Sequence, residues 1–222
     1  SHHHIVMGAG PEIGVAATKT FTCQITSIIL LLSEILKKRG VDYSTIIEHL
    51  HKLPNLLKSL IPKLDVYVKD LAKMISTKNS MFYLGRGLGY PIALEGALKM
   101  KEIAYIHAES YPAGESKHGP IALVEDGFPV VEIVLDDENY RHMMTSIEEM
   151  RARGGKIICL HPLDKTDLEQ LVDISIGLPR IPIDLSALTY VIPLQLLAYH
   201  ASILRGYNPD RPRNLAKSVT VA

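Results

Sequence analysis

Glu95, Lys99 and Glu102 stand at positions i, i+4 and i+7 of the stretch EGALKMKEIAYIHAESYPAGESKHGP, Glu95–Pro120. On a helix this spacing puts all three on one face. An isolated E-x3-K pair is ordinarily a solvated face with ion pairing. Here Glu102 is followed by Ile103, Ala104, Tyr105 and Ile106, which draws it toward the core end of the helix. A partly desolvated carboxylate holds its proton to higher pH and can serve as a general base near neutrality. Gly114, Glu115, Ser116, Lys117, His118, Gly119 and Pro120 follow. A loop histidine is commonly plain polar surface, but glycine and proline here shape a loop that leaves the imidazole free to project. Acid, base and amine ahead of such a histidine are equipment for moving protons.

Lys217 lies in Asn214-Leu215-Ala216-Lys217-Ser218. A tail lysine is usually surface. This tail is short, mildly apolar and rich in turn residues, so it can fold over a cleft and deliver an amine. An amine that forms an imine attacks in its neutral form, which desolvation or a nearby cation favours. Gly85-Arg86-Gly87-x-Gly89 is not a G-x-G-x-x-G fingerprint and reads as a tight strand-to-helix turn. His107 reads as a capping or packing residue. His49, His51, His142, His161 and His200 show no ligand spacing, so neither a metal site nor a cofactor is expected. Cys23 and Cys159 lack a CxxC spacing and read as buried free thiols in a reducing compartment.

These residues need elements to hold them. No proline interrupts Glu12 to Arg39, and Ile25, Ile28, Ile29, Leu32, Ile35 and Leu36 recur at helical spacing. Leu30 and Leu31 make that helix apolar on more than one side, which predicts that it is sandwiched. Ser44–His51 and Leu53–Ile75 read as two further helices, with Pro54 and Pro62 at starts or kinks. Met81–Leu84, Phe128–Leu135, Lys156–Leu160 and Asp173–Leu178 read as strands. Helices over Tyr90–Tyr105, Tyr140–Arg153 and from Ser186, as cap, to about Arg205 alternate with them. Strands alternating with helices predict an α/β fold whose parallel sheet is covered on both faces.

At 47% hydrophobic and 22% charged residues the chain is globular. Lys+Arg and Asp+Glu both number 24, and Trp is absent, which argues against nucleic acid as a partner. The longest apolar run, Ile25–Leu36, is short of a membrane span, so a soluble, cytoplasmic protein is expected. Ser1-His2-His3-His4 reads as a purification-tag remnant.

Three blocks resemble the C-terminal part of the glucosamine-6-phosphate synthases, the glutamine–fructose-6-phosphate aminotransferases. They are AGPEIGVAATKTFT (Ala9–Thr22), GRGLGYPIALEGALKMKEIAYIHAE…GESKHGP (Gly85–Pro120) and VIPLQLLAYH…PRNLAKSVTV (Val191–Val221). The resemblance implies a sugar isomerase (SIS) domain, a three-layer αβα sandwich with a parallel sheet, preceded by a helical segment. It implies residues 1–4 as tag, 5–76 as helices joining a missing first SIS domain, 77–206 as the SIS domain and 207–222 as an irregular tail over the active site. It implies Glu102 as the base moving a proton between C1 and C2 of the sugar, His118 as a ring-opening group acting from the neighbouring subunit of a homodimer, and Lys217 as the imine former. Glu95 and Lys99 would support the site, and Val15 and Ala216 would touch the sugar through the backbone. The partners implied are fructose 6-phosphate and glucosamine 6-phosphate, with no membrane. A Ser-Gln-Ser-Gly-Glu-Thr type phosphate loop and the glutaminase domain are absent from the sequence, and Ala222 stands where an acidic residue is expected. The isolated chain is therefore expected to be inactive. Another sugar-phosphate isomerase or deaminase with related domains stays open, as does a non-catalytic sugar-phosphate sensor.

Overall fold

The structure, a computed structural model, describes residues 4–217. The tag-like residues 1–3 and the last five tail positions, 218–222, lie outside the described residues. The chain forms helices α1 (Lys19–Lys38) and α2 (Ser44–Ile75), then β1 (Ser80–Gly85), α3 (Gly89–Lys99), β2 (His107–Pro112), β3 (Pro129–Ile133), α4 (Tyr140–Arg151), β4 (Lys156–Pro162), β5 (Ile174–Leu178) and α5 (Ser186–Leu204). The five strands pair in the order β2-β1-β3-β4-β5, all parallel.

Alternation along β1 splits the core. Met81 and Tyr83 join α2, α3 and α5 on one face, while Phe82 and Leu84 join α4 and the segment around Ala113 and Ile121 on the other. The result is the expected three-layer arrangement. The β1–α3 turn needs its glycines. A Cβ on Gly85 would lie 2.3 Å from the Gly89 carbonyl oxygen, and Gly87 has φ of 55°.

Several elements differ from the sequence reading. The first helix starts at Lys19, not Glu12, because residues 11–18 bond elsewhere: the Glu12 carboxylate accepts the N–H of Thr18, and the Val15 N–H donates to Asp210 O. α2 is one helix through Pro54 and Pro62. Both prolines are exposed, so their rings sit on the outer face of the helix. α3 stops at Lys99 and continues as a π-helical turn, Met100–Ala104. Edge strand β2 is not among the strands that the sequence pattern predicts, and His107 opens it, exposed, with Nε2 3.2 Å from Glu109 Oε1. Ser186 is the first residue of α5 and its hydroxyl donates to Ile183 O, so it is not the cap.

α1 is covered on one side only. Ile29 is buried, whereas Ile28, Leu30, Leu31, Leu32 and Ile35 are exposed, so within this chain the helix is not sandwiched. By length and composition Lys19–Lys38 and Ile183–Leu204 are each apolar enough to cross a membrane, the latter being mostly buried in the core.

Candidate active site

The switch from α- to π-helical winding occurs at the chemistry-bearing residues. Lys99 ends α3, Glu102 lies in the π turn, and Tyr105 ends the turn in the left-handed region at φ of 54°. Lys99 Nζ donates to Glu102 Oε2 at 2.5 Å and stands 3.4 Å from Glu95 Oε1. The Lys99 side chain is 3% exposed, that of Glu95 10% and that of Glu102 22%, so this is a desolvated cluster rather than a solvated helix face. Burial raises the Glu95 pKa above the usual carboxylate range, against the pull of Lys99, and the like charge of Glu102 adds to the rise. Glu102 is the most open member, so it is the carboxylate a ligand can reach.

Two hollows flank this cluster. One, about 310 Å³, is lined by Glu12, Thr18, Lys99, Ile103, Gln195 and Tyr199 among others. The other, about 460 Å³, is lined by Lys101, Glu102, Tyr105, Arg213, Asn214 and Leu215 among others. The tail reaches both. Arg213 donates its backbone N–H to the Tyr105 hydroxyl at 2.6 Å and lays its guanidinium over the Tyr105 ring at 4.2 Å, while the Tyr207 ring packs edge-on at 4.6 Å. Lys217 Nζ then donates to Glu12 Oε2 at 2.8 Å. The group facing this amine is thus an anion, not a cation.

The structure therefore brings Glu95, Lys99 and Glu102 into one cluster and places Lys217 against a residue of the cleft that Lys99 lines. Val15 is half-buried in the segment tied to the tail through Asp210, and Ala216 is exposed beside Lys217. His118 is not brought to them. It is exposed at the end of a 3-10 turn, Ala113–His118, whose Ala113 packs in the α4-side core and whose Lys117 lies 3.8 Å from Glu149 of α4.

Sequence reasoning missed three residues here. Glu12 is the only Asp, Glu, Lys or Arg ahead of Thr18, a signal that was available. Tyr105 and Gln195 gave none. Among the described residues Gln195 Nε2 is buried without a hydrogen-bond partner, and Gln195 borders the Lys99 hollow.

Residues 74–205 match the family model described as SIS domain. A glutamine–fructose-6-phosphate aminotransferase of Pyrococcus horikoshii is 54% identical over 213 residues, covering 96% of this chain and 35% of that protein. The solved C-terminal domain of glucosamine-fructose-6-phosphate aminotransferase from Francisella tularensis is 40% identical with a TM-score of 0.83, covering 92% of this chain and 59% of that one. Glucosamine-6-phosphate deaminase from Thermotoga maritima shares the fold at 23% identity and a TM-score of 0.67, over 95% of this chain and 59% of that one. The chain thus spans 35% to 36% of the length of the curated relatives it matches.

Proposed function

The chain belongs to the SIS domain family, and from that premise we propose that it is the isomerase portion of a glutamine–fructose-6-phosphate aminotransferase, which turns fructose 6-phosphate into glucosamine 6-phosphate. One observation carries the reading. The hollow lined by buried Lys99, the partner of Glu102, is also lined by Glu12, which holds the Lys217 amine. The names of the aligned relatives support it.

In this reading Lys217 leaves Glu12 and gives its ammonium proton to solvent, the amine adds to the C2 carbonyl of the open-chain ketose, water leaves, and an imine forms. Ammonia then displaces the lysine at C2. Glu102 removes a proton from C1 to give an enolamine and returns it to C2, so that C1 emerges as an aldehyde. Lys99 and Glu95 hold the Glu102 carboxylate in place. Val15 and Ala216 touch the sugar through their backbones. His118 opens the ring from the neighbouring subunit of a homodimer, which suits its position on the α4 side of its own chain. No cofactor is needed.

Ammonia and the phosphate-binding loop come from a glutaminase domain and a first SIS domain, which also cover the exposed face of α1. The helical segment to residue 76 joins that first domain to the one spanning 77–206. Without those parts the isolated chain does not turn over. The whole enzyme works in the cytoplasm.

Assay of the full-length protein with fructose 6-phosphate, with and without glutamine, tests this. Glucosamine 6-phosphate formed only with glutamine or added ammonia is the expected result. Glutamine-independent conversion to glucose 6-phosphate, or deamination as the sole activity, would instead make it an isomerase or a deaminase.

A further inference from the structure

Glu12 collects more polar contacts than any other residue at the cleft. Its Oε1 accepts the N–H of Thr18 at 2.9 Å and of Thr20 at 3.4 Å, so it serves the first turn of α1. Its Oε2 accepts the Thr20 hydroxyl at 2.6 Å and the Lys217 ammonium at 2.8 Å. The carboxylate side chain is 9% exposed, whereas the Lys217 side chain is 45% exposed. A fixed, buried anion therefore anchors a loose, half-exposed cation. Burial alone would raise the Glu12 pKa, but the bonds from Lys217, Thr20 and Thr18 outweigh it and bring it to about 2, so the anion is charged at any working pH.

We infer that Glu12 is the positioning residue for the amine-bearing tail: its carboxylate holds Lys217 at the rim of the Lys99 cleft, ready for delivery to an open-chain sugar. The inference rests on the reading of Lys217 as imine former. Glu12 touches Lys217 and not the cluster of Glu95, Lys99 and Glu102. Its loss therefore acts on the lysine step and leaves the proton-moving carboxylate in place.

Two measurements on the full-length protein separate the inference from that reading. The first is the rate at which an amine-specific acylating reagent labels Lys217, read by peptide mass spectrometry at fixed pH. Glu12→Gln keeps an acceptor for the α1 N–H groups but removes the charge, and labelling should rise about fivefold, the upper end for a half-exposed ion pair. Glu12→Asp should stay nearer the parent. Thr20→Val, which removes one hydroxyl bond to Glu12 Oε2 but leaves the charge and both α1 N–H bonds, should raise labelling much less. No rise in Glu12→Gln, or an equal rise in Thr20→Val, overturns the inference, the latter by showing that the Glu12 charge is not what holds Lys217. Circular dichroism melts show that each variant is folded.

The second measurement is borohydride trapping of the sugar on Lys217 with fructose 6-phosphate. The adduct should form about 10- to 100-fold more slowly in Glu12→Gln, with the KM for sugar little changed and partial rescue in Glu12→Asp. An adduct formed at the parent rate in Glu12→Gln overturns the inference. No adduct in the parent, alongside the predicted labelling pattern, leaves Glu12 as the anchor of Lys217 and overturns the imine reading instead.

Discussion

Lys99 Nζ and Glu102 Oε2 stand 2.5 Å apart, and the lysine side chain of the pair is 3% exposed. One buried cation thereby holds Glu102 and also balances Glu95, whose oxygen lies 3.4 Å from the same nitrogen. An uncharged apolar side chain at position 99 would strand both carboxylates. Lys99→Met should cost about 3 kcal/mol at neutral pH, as breaking a buried ion pair does. The loss should shrink at lower pH, because buried Glu95, whose pKa burial raises, takes up a proton more readily than an ordinary carboxylate. Urea unfolding at neutral and at lower pH measures it, and an equal cost at each would argue against Lys99 as the shared counter-ion.

Glu132 gives a pH dependence outside the site. It is fully buried in β3, bonded by the Ser146 hydroxyl at 3.0 Å, and its other oxygen has no partner among the described residues. Burial pushes its pKa up to about 8; the Ser146 bond opposes the rise and Glu149 adds to it. The folded state therefore holds this proton more tightly than the unfolded chain, whose value is near 4.5. Its contribution is complete below pH 4.5 and is lost as pH rises through about 8. Glu132→Gln should remove that slope and stabilise the protein at pH 9 by up to about 4 kcal/mol. Denaturation midpoints at pH 6 and pH 9 for parent and variant give the comparison. A variant no more stable than the parent at pH 9 contradicts this account of the residue.

Tyr105 ties the π turn to the tail through its hydroxyl, its ring face and its contact with Tyr207. Tyr105→Phe removes one hydrogen bond, worth about 1 kcal/mol. Tyr105→Ala removes all three contacts. Hydrogen exchange of the Arg213 amide should accelerate modestly in the first variant and by a further factor of about 10 in the second. Identical protection in all three proteins would show that the tail is held elsewhere.

The fold was largely legible because β1, β3 and β4 are apolar runs buried on both faces and bounded by turn residues, and edge strand β5 keeps an apolar run, ISIGL. Strand β2, HAESYP, hid because it is an edge with a polar run, whereas the other edge, β5, is apolar. Strand β2 pairs only with β1, and of its six residues Ala108 alone is buried. The cluster of Glu95, Lys99 and Glu102 was legible from helical spacing. The link from Lys217 to Glu12 was not, because it joins residues 205 positions apart, and no local pattern encodes such a contact. The start of α1 was misread for a related reason, since residues 11–18 satisfy their backbone against Glu12 and the tail.

The β1–α3 turn allows a direct check of the packing that sets the cluster. Gly85→Ala places a methyl 2.3 Å from the Gly89 carbonyl oxygen, a backbone atom that cannot yield cheaply. The variant should lose about 3 kcal/mol or more and unfold at a lower denaturant concentration. A neutral outcome would mean that α3 can shift without disturbing Lys99.

The central claim, that Glu102 moves the proton between C1 and C2, is tested most directly by Glu102→Gln in the full-length protein. Exchange of the C1 hydrogen of fructose 6-phosphate with deuterated solvent, followed by NMR, should fall by about 10²–10⁴-fold while sugar affinity is retained. Exchange at the parent rate would remove Glu102 from the chemistry.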